Sequence, residues 1–145
     1  MKPNYIYAAI GFVLLTALAI LISRPDADAL PERIVMESKH AAQQAVWNKE
    51  FGSVMGTGSM HPFIPRGDPR EVVAYTIIGS TDFTDIRKGN FVVHYNDQWQ
   101  RVVHAAEKRT AGGWIVRGWS NQFADPYLVN ESNFIGIVER VYVWQ

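Results

Sequence analysis

From Val72 onward the chain is cut into short β-branched and aromatic runs separated by turn signals, and this spacing most limits the possible fold. Val72–Ile78 follows the Gly67-Asp68-Pro69 turn, and Phe91–Tyr95 precedes Asn96-Asp97, a hairpin signal. Trp99 to about Glu107 pairs back, Gly112-Gly113 turns the chain into Trp114–Arg117, and Phe134–Trp144 forms a last strand. Strands at this spacing, without intervening helical periods, predict a closed or sandwiched antiparallel sheet and exclude alternating β/α units. The 145 residues allow one domain of ordinary size.

The amino-terminal part has a different texture. Residues 1–4 form a short tail, and Tyr5–Ile22 then carries no charged side chain. As a helix this run rises about 27 Å, close to the hydrocarbon thickness of a bilayer, so it is expected to anchor the protein in a membrane. A cleaved signal peptide is the rival, with Ala27-Asp28-Ala29 as the small-x-small site. The run ends well before Ala29, which favours the uncleaved anchor. Ser23–Pro31 is polar, holds two prolines and reads as a linker. Ile34, Val35, Ala42, Ala45, Val46 and Trp47 recur at three- and four-residue steps, which predicts an amphipathic helix over 32–50. The β-rich domain then spans 51–145.

Composition removes several function classes. Lys+Arg 14 balance Asp+Glu 14, so nothing points to a nucleic-acid partner. With no cysteine, thiolate catalysis, disulfides and Cys-ligated zinc are excluded. His-Glu-x-x-His is absent, the interval from His94 to His104 does not read as a compact zinc site, and no phosphate-binding glycine loop leads into a helix. No metal or cofactor is expected.

One stretch has the chemistry for catalysis. In Gly56-Thr57-Gly58-Ser59-Met60-His61-Pro62-Phe63-Ile64-Pro65-Arg66-Gly67-Asp68, two glycines permit a tight turn and two prolines stiffen the residues beyond it. Ser59 on such a turn is placed as a nucleophile would be; the same pattern also describes a stiff loop entering a strand. A serine nucleophile needs a base, usually a histidine held by a carboxylate. His40 lies in the expected helix, and His61 is too near Ser59 in sequence to align with it. His94 and His104 sit on strands expected to be neighbours, and either can face a cleft. Asp82, Asp85, Asp97 and Asp125 are the candidate carboxylates, and Asp125-Pro126 reads equally well as a turn. The residues allow a Ser-His-Asp site without selecting its members.

These segments resemble the type I signal peptidases. Gly58-Ser59-Met60-His61-Pro62 with Ile64-Pro65-Arg66-Gly67-Asp68 is similar to the family's nucleophile box. Lys88-Gly89-Asn90-Phe91-Val92-Val93 resembles its Gly-Asp-x-Val-Val strand, and Arg101-Val102-Val103-His104 the strand bearing the general base. Arg117-Gly118-Trp119-Ser120-Asn121 with Asp125 resembles the Gly-Asp-Asn-x-Asp region, and Ile135-Gly136-Ile137-Val138 the closing strand. The likeness runs from about Gly52 to the end. A histidine at the base position is the mark of the endoplasmic-reticulum and archaeal-like branch.

The resemblance implies a mainly β, signal-peptidase-like antiparallel domain behind a transmembrane helix and an amphipathic helix. It assigns Ser59 as nucleophile, His104 as general base, Asp125 as orienting carboxylate, and Thr57 with the Ser59 N–H as oxyanion donors. Lys108 is the alternative base if the strand register is offset. Ala105 replaces the arginine usual after the base, and Asn90 and Trp119 replace the aspartates of two Gly-Asp pairs. The implied activity is cleavage of signal-like peptides after small residues, on the periplasmic, extracellular or luminal side of a bilayer. The substrate is expected as an extended strand along the edge near Val72–Ile78. A self-cleaving repressor-type peptidase and a catalytically inactive, membrane-anchored peptide-binding module are the alternatives.

Overall fold

The computed structural model describes residues 29–145. The tail at 1–4, the anchor read at 5–22 and most of the linker lie outside the described residues. Among the described residues no helix is long and apolar enough to cross a membrane.

Eight strands form one mainly antiparallel sheet: β1 (Glu32–Met36), β2 (Phe51–Met55), β3 (Val72–Ser80), β4 (Phe91–Tyr95), β5 (Arg101–Thr110), β6 (Gly113–Arg117), β7 (Leu128–Val129) and β8 (Phe134–Trp144). The order is β2-β3-β8-β4-β5-β6-β7. That path ends at β2 and β7, with β1 branching from β8, so among the described residues the sheet is open and not a closed ring. The eleven-residue β8 is its spine. Its first residues pair with β4, most of its length pairs with β3, and Arg140–Trp144 also pairs with β1 in parallel.

The helix expected over 32–50 is corrected to a strand followed by a short helix. β1 is Glu-Arg-Ile-Val-Met, and Ile34 and Val35 lose less side-chain freedom in a strand than in a helix. Helix α1 (Lys39–Val46) begins only at Ser38, whose Oγ accepts the Ala41 N–H as an N-cap. Its Ala42 and Val46 pack on Tyr75, Ile77 and Tyr142 of the sheet.

Two further clusters occupy opposite sides of β4 and β5, as strand alternation requires. Phe91, Val93 and Ala105 join Met60 and Ile64 on one side. Val92 and Ala106 join Ile86, Trp114, Val116 and Val129 on the other. Met60 and Ile64 belong to the serine loop, which is therefore anchored from below by apolar contacts.

Candidate active site

The loop carrying Ser59 is pinned at its base by backbone hydrogen bonds. Gly56 N–H donates to Glu71 O at 3.0 Å, and Gly67 N–H donates to Gly56 O at 3.1 Å. Gly58 has φ +84°, and a Cβ there would meet Arg66 Nε at 2.5 Å. Only glycine fits that turn without strain. Phe63 lies edge-on to Phe91 with ring centroids 4.8 Å apart, and Trp119 packs on Phe91 at 5.5 Å.

Residues 117–121 brace the loop from the side. Ser120 N–H donates to Ser59 O at 2.9 Å, and Ser120 Oγ donates to Gly58 O at 2.6 Å. Gly118 permits the approach, because a Cβ there would lie 2.9 Å from Ser59 O. The carbonyls of Gly58 and Ser59 are thus held, whereas the Ser59 N–H has no backbone acceptor among the described residues.

Ser59, Thr57 and His104 line one cavity of about 530 Å³, together with β2 residues Gly52–Met55 and β5 residues Arg101–Val103. No hydrogen bond joins Ser59 Oγ to His104 among the described residues. Two strand edges are open at this cavity. β2 ends the sheet, and β5 is joined by β6 only from Ala105 onward, leaving one side of 101–104 unpaired. The substrate edge expected at Val72–Ile78 is corrected: β3 is flanked by β2 and β8, so its backbone groups are already engaged.

Behind His104 lies a polar network. His104 Nδ1 is 2.5 Å from Asp125 Oδ2, and the side chains are 13% and 9% exposed. Asp125 is fixed through its own N–H, which donates to Val116 O at 2.9 Å. Tyr127 donates its hydroxyl to the same Asp125 Oδ2 at 3.0 Å, and His94 Nε2 is 3.3 Å from the Tyr127 oxygen. Burial pushes the Asp125 carboxyl up, but the hydrogen bond and charge of His104, with the Tyr127 hydroxyl, outweigh it and hold the group below its ordinary value. Burial above all lowers His94 to about 4, with His104 acting in the same sense, so His94 is neutral at physiological pH.

Of the four histidines, His94 and His104 come together, with rings 6.1 Å apart on one face of β4 and β5. His40 stays on α1 against Gln44, and His61 is exposed. Asp125 is brought to the site. Asp82 and Asp85 bond within the Ser80–Asp85 segment. Lys108 is exposed and does not line the cavity that His104 lines.

Sequence reasoning missed Tyr127, Ser120 and the part played by His94. The interval from His94 to His104, which does not read as a metal site, brings both rings to Asp125, with ligand atoms within 4.8 Å of one another. Those atoms hold hydrogen bonds as they stand. An ion bound by all three would have to part His104 from Asp125 and displace the Tyr127 hydroxyl, so the built arrangement fits a proton network better than a metal cage.

No protein-family model matches the chain, and neither the curated proteins nor the solved structures contain a match.

Proposed function

We propose that this protein is a membrane-anchored serine endopeptidase of the signal-peptidase type, with Ser59 as nucleophile, His104 as general base and Asp125 as the carboxylate that orients it. The observation that carries this reading is the convergence of three separate segments. A largely buried His104–Asp125 hydrogen bond, spanning 21 residues of sequence, ends at the cavity that Ser59 lines from its braced loop. A structural histidine–aspartate pair has no need of a serine in the same cavity.

In the reaction, His104 takes the Ser59 proton as the oxygen attacks the scissile carbonyl, and the imidazolium then protonates the leaving amine. Water repeats the sequence to release the acyl group. This step requires Ser59 Oγ and the His104 ring to come within hydrogen-bond distance when substrate fills the cavity, and such contacts commonly tighten on binding. The Ser59 N–H and the Thr57 hydroxyl receive the oxyanion. An extended peptide fits the cavity, because the unpaired edges of β2 and of residues 101–104 on β5 both present backbone groups to it. With the apolar run at 5–22 as anchor, the substrate is a precursor bearing a signal-like sequence, met at the outer face of a bilayer.

The test is processing of such a precursor in membranes by the wild type and by Ser59→Ala and His104→Ala. The wild type is expected to cleave and both variants to lose cleavage. Undiminished cleavage by either variant removes the assignment. A domain that captures the precursor without cleaving it supports the peptide-binding alternative.

A further inference from the structure

Resting on the peptidase reading, we propose that Tyr127, braced by His94, is the positioning residue that sets the orientation and basicity of Asp125 behind the His104 base. Asp125 Oδ2 accepts from two sides, from His104 Nδ1 at 2.5 Å and from the Tyr127 hydroxyl at 3.0 Å. A carboxylate with a single donor is free to swing about its last bond. A second donor on the same oxygen fixes the plane of the group, and through it the direction of the His104 ring.

Counting protons defines what His94 does. Tyr127 has one hydroxyl proton, and an ionised carboxylate attracts it more strongly than a neutral imidazole nitrogen. His94 therefore faces the Tyr127 oxygen as a donor, through Nε2–H at 3.3 Å. Its Nδ1 lies 3.4 Å from Val92 O, the longer of the two contacts, and the single ring proton is placed on Nε2, where it completes the chain. The chain of donors runs from His94 to Tyr127 to Asp125, with His104 donating from the other side. His94 is fully buried on β4, so the strand holds the outer end of the chain rigid. Asp125 and Tyr127 are two residues apart across Pro126, and both side chains reach this network.

Removing the hydroxyl has a directional consequence. Asp125 with one donor fewer carries more of its charge toward His104 and favours the imidazolium. In the pH–rate profile this moves the acid limb upward. The other ionisable groups near the chain are His94 on β4 and Asp97 on the β4–β5 turn, the latter acting on Tyr127.

The experiment compares wild type, Tyr127→Phe, His94→Leu and His94→Gln, the last keeping an amide donor near the position of Nε2. Peptide hydrolysis is followed across pH, with Ser59→Ala as the blank. For Tyr127→Phe the expected result is a kcat lowered about 5- to 20-fold, KM unchanged, and an acid limb of the pH–rate profile displaced upward. His94→Leu should follow it in part, and His94→Gln should restore most of the rate. A Tyr127→Phe enzyme with the wild-type kcat and pH profile, beside an inactive Ser59→Ala, overturns the inference and leaves the peptidase reading standing. Full activity in Ser59→Ala overturns both. In the unmodified protein, nitrogen-15 spectra of the histidines give a check independent of folding. The proton is expected on Nε2 of His94, and a proton on Nδ1 contradicts the chain.

Discussion

His104 Nδ1 and Asp125 Oδ2 lie 2.5 Å apart although the whole of β6 separates their positions in the chain. His104 belongs to β5, where it sits across from Val92, and Asp125 comes from the segment that returns past Val116. Two groups brought together from such different places, and shielded from water, interact far more strongly than an exposed pair. On the proposed mechanism, Asp125→Asn keeps the geometry but takes the counter-charge from the imidazolium and no longer imposes its tautomer. Peptide hydrolysis should fall by roughly 10³- to 10⁴-fold, with the circular dichroism spectrum unchanged.

On the proposed mechanism, Thr57→Val should retain the loop and lose one oxyanion donor. Thr57 is exposed at the cavity, and its N–H is already committed to Met55 O, so the hydroxyl is the part at stake. A loss of about 100-fold in kcat with little change in KM is expected from steady-state kinetics. A change confined to KM would instead assign Thr57 to substrate binding.

Ser120→Ala removes the hydroxyl that donates to Gly58 O at 2.6 Å and lies 3.2 Å from Ser59 O, while keeping the backbone bond to Ser59 O. One such hydrogen bond contributes about 1 kcal/mol. Urea unfolding should show a loss of that order, and kcat should drop by several-fold because the turn beneath Ser59 is less firmly held.

How far this site is legible in the sequence varies residue by residue. β4 and β8 match their expected bounds because their β-branched runs are bordered by turn residues, a local signal. Ser59 stands out for the same reason, within a stretch of glycine and proline. β1 reads as helix because Ile34, Val35, Ala42 and Ala45 fit a helical period. What makes it a strand is pairing with Arg140–Trp144, far along the chain, which no local pattern carries. His94 and Tyr127 are 33 residues apart, so their contact is equally hidden. The two-residue step from Asp125 to Tyr127 is the one available hint, since alternate residues of an extended segment share a side.

Stability should depend on pH through His94. Its folded pKa of about 4 lies below the ordinary 6.5, so between those values the unfolded chain binds a proton that the folded protein does not. The contribution is complete above pH 6.5 and shrinks as the pH falls toward 4, by about 3 kcal/mol in all. The depressed Asp125 adds a further loss at still lower pH, as its carboxylate is protonated. Denaturant unfolding from pH 7 to 4 should show the first decline, and in His94→Gln the slope in that window should flatten.

Activation of Ser59 as a nucleophile is read out without any knowledge of the substrate by intact-mass and peptide mapping after treatment with a serine-reactive acylating or phosphonylating probe at neutral pH. One adduct is expected, located on Ser59, lost in Ser59→Ala and strongly slowed in His104→Ala. An unlabelled Ser59 in folded protein, or labelling that proceeds equally well without His104, would contradict the assignment.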